Sequence, residues 1–105
     1  GSQQAPTAEA LMRSRYTAFT QKNLEYLLDT HSPDTRNQIN LEATKQWMEH
    51  AEWQRLEVLK TQLGSSHDKT GIVEFKAYFA IAGESQVHHE VSQFVKPEDT
   101  WFYSE

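Results

Sequence analysis

The amino-acid sequence predicts an α+β domain in which three N-terminal helices pack on a curved antiparallel sheet of about four strands. Apolar residues recur at helical spacing up to Glu52 and alternate with a period of two after it. The alternating segments are long and are joined by short turns, which is typical of an antiparallel meander. Because such a sheet curls around a helix, we expect a cone-shaped hollow between the first helix and the strands.

Polar residues mark the starts of the three predicted helices. Thr7, Asn23 and Asn40 each precede a stretch with apolar residues on one helical face, and all three residue types are good N-caps. Pro33 ends the second helix, because a proline restricts the residue before it and cannot continue the hydrogen-bond ladder. The polar segment 34–38 is expected to form a turn.

The second half of the chain predicts four strands. Residues 53–63 carry apolar side chains on both sides, which indicates a long strand with a bulge. Residues 71–82 and 86–96 alternate regularly, and residues 100–103 form a short last strand. The alternation does not decide which face of the third strand lies inside the hollow.

Composition excludes several classes of protein. The net charge is −5 and no run of Lys and Arg exists, which argues against a nucleic-acid partner. No apolar run approaches a membrane span, and no stretch resembles a signal peptide. The absence of cysteine excludes disulfides and cysteine metal sites in this chain, and it is compatible with a cytoplasmic location. Gly1-Ser2 is typical of a protease-cleavage scar, so residues 3–105 are expected to form a single domain.

Arg15 is the most informative residue of the first helix, because its side chain points close to the middle of the apolar arc. An arginine there keeps its charge and needs a carboxylate, backbone carbonyls or a wet cavity beside it. Two interpretations stay open. Arg15 anchors an anionic or carbonyl-bearing ligand in the hollow, or it forms a structural ion pair, with Glu90 as the first candidate and Glu74 as the second. The ion pair is favoured, because buried charges are usually paired.

A family resemblance covers residues 5–103. The sequence contains the runs APTAEALMRSRYTAF, YLLDTHSP, AEW, HEVSQF and WFY, of which ALMRSRY is the most specific. Together they resemble the middle domain of the bacterial YchJ-like family, of uncharacterised function. The resemblance implies a nuclear-transport-factor-2-like (cystatin-like) fold, and it implies flanking cysteine-rich SEC-C motifs that this chain lacks. We therefore expect a piece of a longer protein, with no cofactor in this chain and zinc on the flanking motifs.

The hollow is the predicted ligand pocket. Its predicted lining consists of Arg15, Tyr16, His31, Trp53, Phe75, Glu90, Ser92 and Phe94. Trp101 and Tyr103 are further aromatic candidates, although aromatic side chains at such spacing are more often plain core. No metal site is predicted, because neighbouring histidines on one strand point to opposite faces.

No residue of the sequence is assigned a catalytic role. An alternative interpretation takes Glu90 or His31 as a general base and Tyr16 as a hydrogen-bond donor. His31 lies at the end of the second helix, where bonding to the last carbonyls is favoured over catalysis.

Three functions follow in order of preference. The first is a non-catalytic domain that binds a small molecule or a protein. The second is a small cofactor-free lyase or isomerase that uses the conical pocket. The third is a dimerisation module in which two copies meet through the outer sheet face, along an exposed row of Ile72, Tyr78 and Ala80.

Overall fold

The computed structural model describes residues 5–104, so the expectation for residues 1–2 lies outside the described residues. The elements are α1 (Ala8–Thr20), α2 (Leu24–Asp29), a 3₁₀ helix (Arg36–Gln38), α3 (Leu41–His50), β1 (Glu52–Leu63), β2 (Thr70–Ile81), β3 (Glu84–Val95) and β4 (Phe102–Tyr103). The four strands form one antiparallel sheet in the order β1-β2-β3-β4. The predicted α+β class, with three helices on a four-stranded sheet, is confirmed.

The three α-helices begin at the predicted caps. The side chains of Thr7, Asn23 and Asn40 each accept a hydrogen bond from the backbone N–H three residues later, at 3.0–3.1 Å. Each cap satisfies one of the N–H groups that the first turn of a helix leaves unpaired. The 3₁₀ helix falls in the segment that was expected to be a turn, where no apolar period signals a helix.

The sheet is long and bent. The pairing of β1 with β2 shifts register twice, between Trp53 and Arg55 and between Val58 and Lys60. Such irregularities bend a strand and increase its twist. By contrast, β2 and β3 pair without interruption along their whole length. The bend in β1 lets the sheet curve around α1, which packs on its inner face.

The structure decides which face of β3 lies inside. Ser92 and Phe94 are each 1% exposed, whereas Val87 and Val91 are 53% and 55% exposed. The face with polar and aromatic side chains, which also carries Glu90, therefore points to the hollow. The more apolar face of the strand is the outer one.

The outer sheet face does not carry the expected exposed row. Ala80 is buried, and Ile72 and Tyr78 are only partly exposed. The Tyr78 hydroxyl donates to Glu57 Oε1 at 2.9 Å, which ties that ring to its neighbouring strand. The expectation of an exposed row at these three residues is wrong, because Ala80 is buried and side chains of the neighbouring strand contact Tyr78.

The main core lies between α1 and the inner sheet face, and a smaller cluster joins α1 to α2 and α3. The main cluster contains Ala8, Leu11, Met12, Val73, Phe94 and Trp101. The smaller cluster contains Ala18, Leu27 and Met48. Trp101, only 2% exposed, therefore belongs to the core.

The start of α1 touches the β1–β2 hairpin at two glycines. The Ala8 N–H donates to the Gly64 carbonyl at 2.9 Å. A Cβ atom on Gly71 would lie 2.6 Å from Gly64 Cα and 3.0 Å from Ala8 Cβ. Because the nearer atom belongs to the backbone, the close approach needs a glycine at position 71.

Replacing Gly71 by Ala should lower the free energy of unfolding by about 2 kcal/mol, because an extra methyl group is forced into a packed contact. Chemical denaturation of both proteins measures the difference. The matched control is Gly83→Asn in the β2–β3 turn, where φ is +82° and nothing lies within 4 Å of an added Cβ. Asparagine tolerates that conformation, so this change should cost less than about 0.5 kcal/mol. Equal losses in the two variants would contradict the close-approach explanation.

Candidate functional site

A cavity of about 220 Å³ lies between the helices and the inner face of the sheet. All eight residues predicted to line the hollow border this one cavity. Trp47, His88 and Tyr103 also line it, whereas Trp101 does not. Trp47 and His88 are absent from the sequence prediction. His88 could have been predicted from the sequence, because it lies on the same strand face as Glu90.

One end of the cavity is built from aromatic rings. The ring centroids of Trp47 and Trp53 are 5.2 Å apart, and Phe19 lies 5.2 Å from the first and 5.5 Å from the second. Tyr16 meets Trp53 edge-on at 5.7 Å. We call these four residues the aromatic end. It joins α1, α3 and β1 and offers flat apolar walls to a ligand.

Glu90 and Arg15 form the charged part of the cavity lining, which we call the polar end, and three donors hold Glu90. His88 Nε2 donates to its Oε1 at 2.7 Å, and Tyr103 Oη donates to its Oε2 at 3.0 Å. The Ser92 hydroxyl also donates to Oε2. Burial on its own would raise the pKa of Glu90, but these hydrogen bonds outweigh burial and lower it. Glu90 is therefore an ionised acceptor at neutral pH and a weak proton base.

Arg15 donates both hydrogens of Nη1 to the end of α2. The acceptors are the Leu27 carbonyl at 2.9 Å and the Thr30 hydroxyl at 2.6 Å. Its guanidinium carbon lies 4.5 Å from the centroid of the Tyr103 ring. Burial lowers the pKa of Arg15 to about 10, which still leaves the side chain charged at neutral pH.

The expected ion pair of Arg15 with Glu90 or Glu74 is wrong. Within residues 5–104, neither carboxylate lies within ion-pair distance of Arg15. Glu74 instead accepts from His89 at 2.7 Å on the outer sheet face. Tyr103 connects Arg15 to Glu90 indirectly, since its ring lies against the guanidinium and its hydroxyl binds the carboxylate.

His31 borders the cavity and takes part in a chain of hydrogen bonds. The Thr35 hydroxyl donates to the Ser104 carbonyl at 3.1 Å, so His31 Nε2 is the donor in its 2.9 Å bond to that hydroxyl. Nδ1 of the neutral ring then carries no proton. Burial, with Arg15 and Arg36 nearby, lowers the pKa of His31. The expected bond from His31 to the last carbonyls of α2 is wrong, because Arg15 takes that role.

Tyr16 is a neutral donor at the cavity wall, because burial raises the pKa of its hydroxyl. Within residues 5–104, no group of three or more His, Asp and Glu side chains is placed to hold a metal ion. Over the same range, no helix has the length and apolar character needed to cross a bilayer. The cavity therefore offers one anchored cation, one fully engaged carboxylate and an aromatic end.

Proteins of one bacterial family match this sequence. A family model described as the YchJ middle NTF2-like domain matches residues 7–105. A UPF0225 protein of Geobacter sulfurreducens is 41% identical over 105 residues, which cover 100% of this chain and 65% of that protein. A UPF0225 protein of Corynebacterium efficiens is 43% identical and covers 99% of this chain and 75% of that protein.

Two solved structures share the fold. The solution structure of a SEC-C motif containing protein from Rhodopseudomonas palustris has a TM-score of 0.88 at 37% identity, over 99% of this chain and 80% of that one. The crystal structure of a SEC-C motif containing protein from Psychrobacter arcticus has a TM-score of 0.83 at 33% identity, over 100% of this chain and 62% of that one. The predicted resemblance and fold are confirmed. This chain spans less than two thirds of the Geobacter and Psychrobacter proteins.

Replacing Glu90 by Gln should remove about 2 kcal/mol of stability at pH 7, since three donors lose their charged acceptor. A carboxyl with a lowered folded-state pKa stabilises the fold above its ordinary pKa of 4.5 and loses that contribution as the pH falls below it. The two proteins should therefore converge in unfolding free energy as the pH drops below 4.5. Denaturant titrations between pH 7 and pH 3 measure this convergence. Glu49→Gln on the exposed face of α3 is the control, and a pH-independent gap for Glu90→Gln would contradict the assignment.

Proposed function

This chain belongs to the family of YchJ middle domains with an NTF2-like fold, and we propose that it is a non-catalytic domain that binds a small molecule. The observation that carries the proposal is Arg15, a charged side chain that borders a largely aromatic cavity without a carboxylate partner in residues 5–104. The ligand is a compact organic molecule with an apolar body and one group that accepts hydrogen bonds from Arg15.

The dimensions of the cavity support a ligand of about one aromatic ring. A volume of about 220 Å³ equals roughly seven water molecules at about 30 Å³ each. The aromatic end suits a flat apolar body, and convergent polar groups at the other end suit one polar head. Binding pockets for small molecules commonly combine these two features.

Binding is better supported than catalysis. A general base needs a pKa near the working pH, whereas three hydrogen bonds hold Glu90 ionised and engaged. His31 remains as the second candidate base of the lyase or isomerase alternative. A protein partner or a second copy on the outer sheet face is less well supported, since the exposed Val87 and Val91 lie beside the hydrogen-bonded pair of His89 and Glu74.

The domain acts, in this proposal, within a longer bacterial protein. The two solved relatives are SEC-C motif containing proteins, and this chain spans only part of each. A cytoplasmic location and zinc on flanking motifs stay predictions.

Benzyl alcohol, a neutral single-ring probe, should produce saturable shifts in the indole N–H signals of Trp47 and Trp53 in ¹H–¹⁵N spectra. The signal of Trp101 should not follow them, because that ring is buried in the core and does not line the cavity. Ala77→Leu should abolish the shifts by filling the cavity from the sheet side, whereas Ala43→Leu, on the exposed side of α3, should not.

Leu28→Trp should fill the same cavity from α2. It replaces Ala77→Leu in this experiment if Ala77→Leu does not give a native-like amide spectrum. Shifts that persist in a folded cavity-filling variant would overturn the proposal. The absence of any shift in the native protein would overturn it as well.

A further inference from the structure

We propose that the cavity selects a monocarboxylate, bound at two points by the Nε–H and Nη2–H edge of Arg15, with its apolar body against Trp47 and Trp53. The inference rests on the proposed function, and it adds the chemical class of the ligand.

The first support for the inference is the Nε and Nη2 edge of the Arg15 guanidinium. Nη1 donates its two hydrogens to Leu27 and Thr30, while Nε and Nη2 make no hydrogen bond within residues 5–104. Of the buried side-chain nitrogens and oxygens in that range, only the indole nitrogens of Trp53 and Trp101 lack a partner. Nε and Nη2 of Arg15 therefore keep some accessible surface, and Arg15 is one of the residues that line the cavity. Their N–H bonds lie side by side and match the two oxygens of a carboxylate.

The second support is that Arg15 is fixed before any ligand arrives. Two hydrogen bonds hold Nη1, and Thr30 is itself oriented because its hydroxyl donates to the Tyr26 carbonyl at 2.8 Å. The Tyr103 ring supports the guanidinium carbon at 4.5 Å. A cation held in place at no further entropic cost binds an anion more tightly than a mobile one.

The third support is the balance of charge at the polar end. Arg15 contributes one positive charge and makes no ion pair in residues 5–104, although the charge of Glu90 also acts on it. The Glu90 carboxylate already accepts three hydrogen bonds. His31 is neutral, and Arg36 is turned to the His31 carbonyl at 3.0 Å. A monoanion gives Arg15 a charge-assisted partner in direct contact. A phosphate dianion would bring a second negative charge close to Glu90, and a neutral carbonyl would form hydrogen bonds with Arg15 that lack the assistance of a negative charge.

The fourth support is that the two ends adjoin each other at His88. His88 belongs to both: its ring lies 5.1 Å from that of Trp47, and its Nε2 donates to Glu90 at 2.7 Å. A ligand with one ring and one carboxyl group has a part suited to each end, so an arylcarboxylate is the class that we expect.

The test compares benzoate with benzamide and phenyl phosphate, each titrated at pH 7.5 against the indole signals of Trp47 and Trp53. Benzoate should bind at least about tenfold more tightly than its neutral isostere, because charge-assisted bidentate contacts are the strong ones. Phenyl phosphate should bind more weakly than benzoate. This comparison needs no variant.

Arg15→Lys keeps the positive charge and removes the two parallel N–H donors of the guanidinium. It should weaken benzoate binding about tenfold and weaken benzamide binding much less. Arg13→Lys is the matched control two residues away, on the exposed side of α1 where Arg13 pairs with Glu9, and it should change neither affinity.

Benzamide or phenyl phosphate binding as tightly as benzoate would overturn the inference, as would native benzoate affinity in a folded Arg15→Lys protein. Each of those results leaves small-molecule binding intact, because benzyl alcohol still reports on the cavity. If neither indole signal shifted with any of the probes, the inference and the proposed function would both be overturned.

Discussion

Tyr103 keeps Arg15 and Glu90 apart, and the polar end of the cavity depends on this separation. Its ring lies 4.5 Å from the guanidinium carbon, and its hydroxyl donates to Glu90 at 3.0 Å. The backbone is fixed as well, since the Tyr103 N–H donates to the Thr30 carbonyl at 2.8 Å and the Ser32 N–H donates back at 2.7 Å. A strand of two residues thus ties the end of α2 to the sheet. In a direct ion pair, Glu90 would occupy the donors of Arg15. In the observed arrangement, Arg15 lines the cavity without that partner.

The two charged groups tolerate burial by different means. Glu90 receives three hydrogen bonds, which more than offset the desolvation of its carboxylate. Arg15 receives a carbonyl, a hydroxyl and an aromatic face, which fix its position but bring no opposite charge into contact. The carboxylate is therefore saturated and the cation is not. That asymmetry favours recognition of an anion over proton transfer, because the group with capacity left is a donor that stays protonated.

Local chemistry made much of the fold predictable. The helix starts follow from side-chain caps, and Arg15 was placed at the cavity by the geometry of a helix alone. The inner face of β3 was not predictable, because Val87 made the outer face look buried while the inner face carries groups for a polar cavity. The partner of Arg15 was missed because charge complementarity suggested Glu90, whereas a helix C-terminus also supplies acceptors. The central position of Tyr103 depends on contacts between distant parts of the chain, which no local pattern encodes.

The unfilled volume itself has a physical meaning. Ala77 and Ser92 are small, buried side chains on the sheet wall of the cavity, where leucine-sized residues would close the space. At about 24 cal/mol per Å³, a closed dry cavity of this size would cost on the order of 5 kcal/mol. Access of water lowers that cost, yet a wet space walled by tryptophan and phenylalanine is still less stable than packed side chains. A sequence optimised for stability alone would fill it. Under the proposed function, the small side chain of Ala77 leaves the space that the ligand would occupy.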